Sequence, residues 1–202
     1  MTLRDERSLQ ERAATLIAVL GLGLGLAALA ITPVHADEAD QIAELLELQP
    51  GLRVADVGAG DGEFGEALAR RLGASGHLYL NEIDDGELIK LRRLLERSDL
   101  GNMSLVVGEA DDSRLPQACC EAILLRLVYH HMSHPDAMRA SLHRSLRPGG
   151  LLLVIEMDDE DHGTPIERLV SEWSADGFEV VAEHLDWHRH GNHYAILFRR
   201  SE

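Results

Sequence analysis

The chain has 202 residues, 19 basic against 35 acidic side chains, 45% apolar residues and two cysteines, enough for one globular domain with a real core. A formal charge of −16 argues against nucleic-acid phosphate or an anionic membrane as the main partner, because both require a basic stripe. The only cysteines, Cys119 and Cys120, are adjacent, which excludes a cysteine-rich scaffold and a four-cysteine zinc site. A bridge between neighbours is sterically awkward, so the pair reads as buried or partly buried thiols. An aromatic content of 4% also argues against a base-stacking platform.

The first 36 residues stand apart. Ala13 to Ile31 is a run of 19 residues without a charge, preceded by Arg4, Arg7 and Arg12 and followed by Thr32-Pro33-Val34-His35-Ala36. That order predicts an export signal cleaved between Ala36 and Asp37. An uncleaved anchor and a buried helix of a cytoplasmic protein are the alternatives, since Asp5, Glu6 and Glu11 offset the arginines and the apolar run is nearly long enough to span. No Lys or Arg follows the run until Arg53, so both leading readings put the domain outside, in the periplasm or on an anchor. Loss of residues 1–36 leaves the charge at −16.

Beyond the leader, residues 37–48 have the spacing of a short amphipathic helix stopped by Gln49-Pro50-Gly51. Residues 52–57 form a strand that runs into Gly58-Ala59-Gly60-Asp61-Gly62, and Phe64, Leu68 and Leu72 mark the helix after it. A strand over 77–83, a helix over 87–97 and a strand over 103–107 follow. Residues 108–120 are too few for a full crossover helix. Residues 121–128 read as a doubly buried strand, 137–146 as a helix, and 151–156 as another buried strand after Arg147-Pro148-Gly149-Gly150. A helix over 166–175 and strands over 178–184 and 193–198 complete a doubly wound α/β sheet. It has seven strands, mostly parallel with an antiparallel last strand, and helices on both faces.

Three glycines after the first strand let the backbone approach a ligand closely where a helix N-terminus supplies N–H groups. A dinucleotide fingerprint would place glycine or alanine at position 63, which is Glu63, so a dehydrogenase is disfavoured. Glu82, at the end of the second strand, is placed to accept the hydroxyls of a ribose.

At this point the sequence resembles the class I S-adenosylmethionine-dependent methyltransferases over nearly all of residues 42–199. Residues 54–62, Val-Ala-Asp-Val-Gly-Ala-Gly-Asp-Gly, look like the family's cofactor loop and Glu82 like its ribose acid. Gly108-Glu109-Ala110-Asp111-Asp112 with Leu115-Pro116 looks like the adenine-side loop, and Leu146-Arg147-Pro148-Gly149-Gly150 like a later signature. Glu109 stands where Asp is more usual, and Cys119-Cys120 where Ser or Asp is. The resemblance implies S-adenosylmethionine as cofactor. Asp56 and the backbone of Gly58, Ala59, Gly60, Asp61 and Gly62 would hold its methionine end, Glu82 the ribose, and Glu109, Ala110 and Asp111 the adenine.

Methyl transfer from a sulfonium needs alignment and exclusion of water more than catalytic side chains. A small-molecule acceptor would approach past residues 127–131, where His131 and Tyr129 are the substrate-facing candidates and a histidine can take a proton at neutral pH. The bland alternative is that His130 or His131 caps the next helix or closes the sheet edge. Arg126, inside an apolar strand, should pair with an acid such as Glu156 or Asp56, with a substrate carboxylate as the sharper alternative. The acids at 158–161 read as a solvated loop. The 11 histidines, among them His184, His188, His190 and His193, lack a ligand motif, so no metal is expected. No nucleic-acid partner is expected, and no membrane insertion if the leader is cleaved. Export conflicts with a cofactor made from ATP inside the cell, which keeps open a binding protein that retains the pocket without transfer.

Overall fold

A computed structural model describes residues 34–187 and 192–202, with side chains from Glu38 onward; residues 1–33 of the predicted leader, His188 and His190 lie outside the described residues. Helix α1 (Val34–Leu45) starts before the predicted cleavage point and carries Ala39, Ile42 and Ala43 into the core. It leads to β1 (Arg53–Val57), α2 (Gly65–Leu72), β2 (His77–Glu82), α3 (Asp85–Arg97) and β3 (Met103–Val107). Then follow β4 (Cys120–Arg126), a 3-10 turn (Tyr129–His131), α4 (Pro135–Ser145) and β5 (Leu146–Met157), and finally α5 (Ile166–Ala175), β6 (Phe178–His184) and β7 (His193–Arg200). Among the described residues no helix is long and apolar enough to cross a membrane.

The seven strands form one sheet in the order β3-β2-β1-β4-β5-β7-β6. The first five pair in parallel, and β7 runs antiparallel to both β5 and β6. Because side chains alternate along a strand, the sheet has two distinct faces. Val54, Leu78, Leu80, Leu124 and Leu153 pack on one face with α1, α2 and α3. Ala55, Val57, Ile123, Leu125 and Val154 pack on the other with α4 and α5, where Trp173 meets Phe178 and Phe198.

Strand β5 begins five residues earlier than its apolar run suggests. Leu146 pairs with Cys120, and the register then shifts so that Ala122 meets Leu151. The intervening Arg147-Pro148-Gly149-Gly150 bulges out, with Gly149 at φ +74, a conformation glycine adopts without a Cβ penalty. The strand expected over 121–128 stops at Arg126, because Leu127 has φ +53 and breaks the extended chain. The cysteines depart from expectation: Cys119 and Cys120 are joined in a disulfide, both buried in the α4/α5 core, with no free thiol.

Arg126 pairs with an acid, although not with either expected partner. Glu156 sits one register position off on β5 and so on the opposite face, and Asp56 interacts with the guanidinium through charge alone. The guanidinium instead donates two 2.9 Å hydrogen bonds to Glu38 of α1, lies 3.9 Å from Glu63, and stacks 4.7 Å over the Phe64 ring. Trp187 Nε1 also donates to Glu38. This clasp ties α1 to the start of α2 across the carboxyl end of β4. Arg126→Met removes it while leaving a buried carboxylate, and should destabilise the fold by about 1–3 kcal/mol in urea unfolding. Adding Glu38→Gln should recover part of the loss; unchanged stability in the single variant contradicts the clasp.

Candidate active site

The parallel strands end together, and alternation places Asp56, Glu82 and Arg126 on the α1–α3 face at the carboxyl ends of β1, β2 and β4. A cavity of about 580 Å³ opens at that edge, lined by Gly58, Glu82, Ile83 and Ala110 together with Val128, His131, Met132 and Met138. Ligand sites of α/β sheets sit at this edge.

The glycine turn is fixed from β2. The Asn81 carbonyl accepts N–H bonds from Gly58 (2.9 Å) and Ala59 (3.0 Å), and Gly60 N–H donates to Glu82 Oε2 at 2.9 Å. Glu82 Oε1 accepts from the Ile83 and Asp84 N–H groups at 2.7 and 3.0 Å. The glycines have different tasks. A Cβ on Gly58 would lie 2.4 Å from Val128, and one on Gly62 2.4 Å from Leu94, whereas one on Gly60 would meet nothing within 4 Å. Gly58 and Gly62 therefore allow close packing, and Gly60 leaves the open approach. Asp61 does not line the cavity: it is exposed, and its Oδ1 closes a local turn on Glu63 N–H.

Asp56 is 5% exposed and accepts no hydrogen bond from a described residue. Burial pushes its carboxyl up to about 7, partly offset by the Arg126 charge and reinforced by that of Glu82. It stands behind the glycine turn rather than on the cavity wall. A buried acid with no donor, next to a second acid, is suited to a cationic ligand.

On the adenine-side loop, the structure brings Ala110 to the cavity but not Glu109 or Asp111. Glu109 pairs instead with Arg114, which the turn at φ +55 swings back toward it, and Asp111 is exposed. The loop is held by Asn81, whose Nδ2 donates to the carbonyls of Ser113 (2.8 Å) and Val106 (3.1 Å). Asn81 and Ile83 are site residues that the sequence reading missed. Their signal was a polar residue within a buried strand, and an apolar one, 53% exposed, directly after Glu82.

Beyond β4 the 3-10 turn separates the two substrate-facing candidates. With about 3 residues per turn, positions 129, 130 and 131 point in three directions. His131 is exposed and lines the cavity. Tyr129 turns away into the α4/α5 core at 3% exposure, packs against Trp173, donates to Glu172 and accepts from Arg139. Burial and the Glu172 bond push its phenol up, so it is neither substrate-facing nor a ready base. His130 faces Glu156 and closes the sheet edge. Among the described residues no cluster of His, Cys, Asp or Glu could hold a metal ion.

Strand order, glycine turn and strand-end acid define a Rossmann-like methyltransferase fold. Residues 54–150 match the family model described as a methyltransferase domain, and this match with the relatives below supports a class I S-adenosylmethionine-dependent methyltransferase. It is 30% identical over 129 residues to the ubiquinone/menaquinone biosynthesis C-methyltransferase UbiE of Pseudomonas putida, covering 63% of this chain and 48% of that protein. It is 31% identical over 143 residues to the same enzyme of Ectopseudomonas mendocina, covering 70% and 55%. The chain thus spans about half the length of these curated relatives. In fold it matches a solved SAM-dependent methyltransferase from Aquifex aeolicus (TM-score 0.71, 18% identity, 83% of this chain and 93% of that one). It also matches the [4+2]-cyclase SpnF (TM-score 0.70, 19% identity, 82% and 80%).

S-adenosylmethionine is the cofactor of this family. The residues present fit it: Glu82 on the cavity wall suits hydroxyl donors, exposed Ile83 with Ala110 suits a flat ring, and the Asp56 carboxyl close to Glu82 suits a cation. The raised Asp56 carboxyl has a consequence for folding. The folded chain keeps a proton that the unfolded chain releases near pH 3.8, so this group's stabilisation is complete below that value. It is lost as pH rises to about 7. Asp56→Asn removes the slope, so the variant should gain on the parent between pH 4.5 and pH 8 in urea unfolding; a constant gap contradicts the assignment.

Proposed function

We propose that this chain transfers a methyl group from S-adenosylmethionine to a proton-bearing position on a small, largely apolar acceptor. The observation that carries the reading is one cavity whose lining combines Gly58 and Glu82 with His131, Met132 and Met138. When bound, the cofactor supplies an electrophilic methyl on a sulfonium and leaves as a neutral thioether. Asp56 balances the positive end, Glu82 accepts from the ribose, and Ile83 and Ala110 flank the adenine. Leu127, Val128, Met132 and Met138 exclude water around the acceptor, and His131 takes its proton, which solvent then removes.

The finer reading is methylation of a ring carbon of a quinone-type acceptor. The relatives named for C-methylation in ubiquinone/menaquinone biosynthesis support it, and so do the apolar Val128, Met132 and Met138 of the cavity lining. For location we retain export, supported by the charge-free run from Ala13 to Ile31. A cut after Ala36 would keep Glu38 and its bonds to Arg126 and Trp187 in the mature domain.

The test uses the full chain, labelled S-adenosylmethionine and reduced 1,4-dihydroxynaphthalene, beside a small-molecule extract of the source cells. The expected outcome is a product one methyl heavier, formed by protein that fractionates with the envelope and begins at Asp37. Binding without any transferred methyl would favour a ligand-binding protein, and active protein in the cytosol with an intact leader would refute export.

A further inference from the structure

Resting on the reading of His131 as the proton acceptor, we propose that Glu156 and His130 are a positioning pair behind it, so that the acceptor's proton is received by a histidine backed by a buried carboxylate. Glu156 lies near the end of β5 on the α4/α5 face and is 0% exposed. Its carboxylate accepts the N–H of Met157 at 2.9 Å and of His130 at 3.1 Å. His130 Nδ1 lies 2.8 Å from each of its two oxygens.

The hydrogen-bond inventory fixes the ring. Two backbone donors already point at the carboxylate, which offers only acceptors, so Nδ1 is the donor to it. The His130 ring then packs on the His131 ring, centroids 3.9 Å apart, and His131 lines the cavity. Closing the sheet edge requires only the carboxylate and the two amides. The imidazole adds a rigid layer that sets where the His131 ring stands and brings a negative charge to within one ring of it.

The charged and titratable groups packed around this layer have hydrogen-bond partners of their own. On the far side of the turn, Arg139 and Glu172 are engaged with Tyr129. Across β7, Tyr194 gives its hydroxyl to the Thr164 carbonyl, and it senses both Glu156 and Asp158. The proton step then balances simply. The acceptor's X–H bond breaks toward a ring nitrogen of His131, and the electron pair stays on X for bond formation to the methyl. The positive charge created on His131 sits near Glu156 until exposed His131 passes the proton to water.

The test needs no identified acceptor. 4-Nitro-1-naphthol is coloured only when ionised, and absorbance reports its state on the protein at a pH below its own pKa. The wild-type chain with S-adenosylmethionine should take it up as the coloured anion, and His131→Ala should abolish the colour. Glu156→Gln and His130→Gln should each reduce the coloured fraction about tenfold with S-adenosylmethionine affinity unchanged, and the double variant should do no worse than the stronger single one. Parent-like colour in both single variants, with His131→Ala colourless, overturns the positioning pair alone. No coloured anion on the wild type overturns the reading of His131 as proton acceptor as well.

Discussion

The carboxylate of Glu82 accepts N–H bonds from Gly60, Ile83 and Asp84, and so joins the glycine turn after β1 to the end of β2. A side chain 8% exposed, holding donors from two chain segments, makes the site's floor a single rigid piece. Much of the site follows from that anchor. The Asn81 carbonyl holds Gly58 and Ala59 beside it, and the Asn81 amide holds the loop that brings Ala110 to the cavity. Strand alternation then sends Glu82 and Asn81 to opposite faces, so two adjacent residues organise two loops.

The same alternation divides the chemistry. On the α1–α3 face the strand ends carry Asp56, Glu82 and Arg126, with the guanidinium held by Glu38. Asp56 is left without a donor, and this imbalance favours a cation. On the other face Glu156 meets His130, and Tyr129 is absorbed by Arg139 and Glu172. The cavity lies at the edge common to both faces, where Gly58 and Glu82 meet His131 and Met138. Leu127, at φ +53 on the cavity wall, makes the abrupt turn that carries the chain from one to the other.

Much of the fold was legible because apolar runs bounded by turn residues mark the elements, even at the sheet edges where strands are only partly buried. The strand over 103–107, the helix over 166–175 and the strand over 178–184 fall where periodicity places them. Turns were less legible. Pro135 opens α4 two residues before its apolar stripe starts, and the bulge at 147–150 hides the first pairing of β5. In the site, Glu82, Gly58, Ala110 and His131 reach the cavity as read, since each terminates or follows a strand. Tyr129, Glu109 and Asp61 do not, for local reasons: a 3-10 turn rotates the first, Arg114 captures the second, and a two-residue turn occupies the third. Arg126 found Glu38 because long-range helix docking, invisible to strand periodicity, brings an acid from 88 residues away.

The central claim is that the Glu82 carboxylate, fixed at the end of β2, holds the cofactor's ribose in the cavity beside the glycine turn. Calorimetric titration with S-adenosylmethionine tests it most directly. The account expects one ligand per chain and an affinity lowered about 30-fold or more in Glu82→Ala, as the loss of a charged hydrogen-bonding group implies. Equal affinity in parent and variant would contradict it.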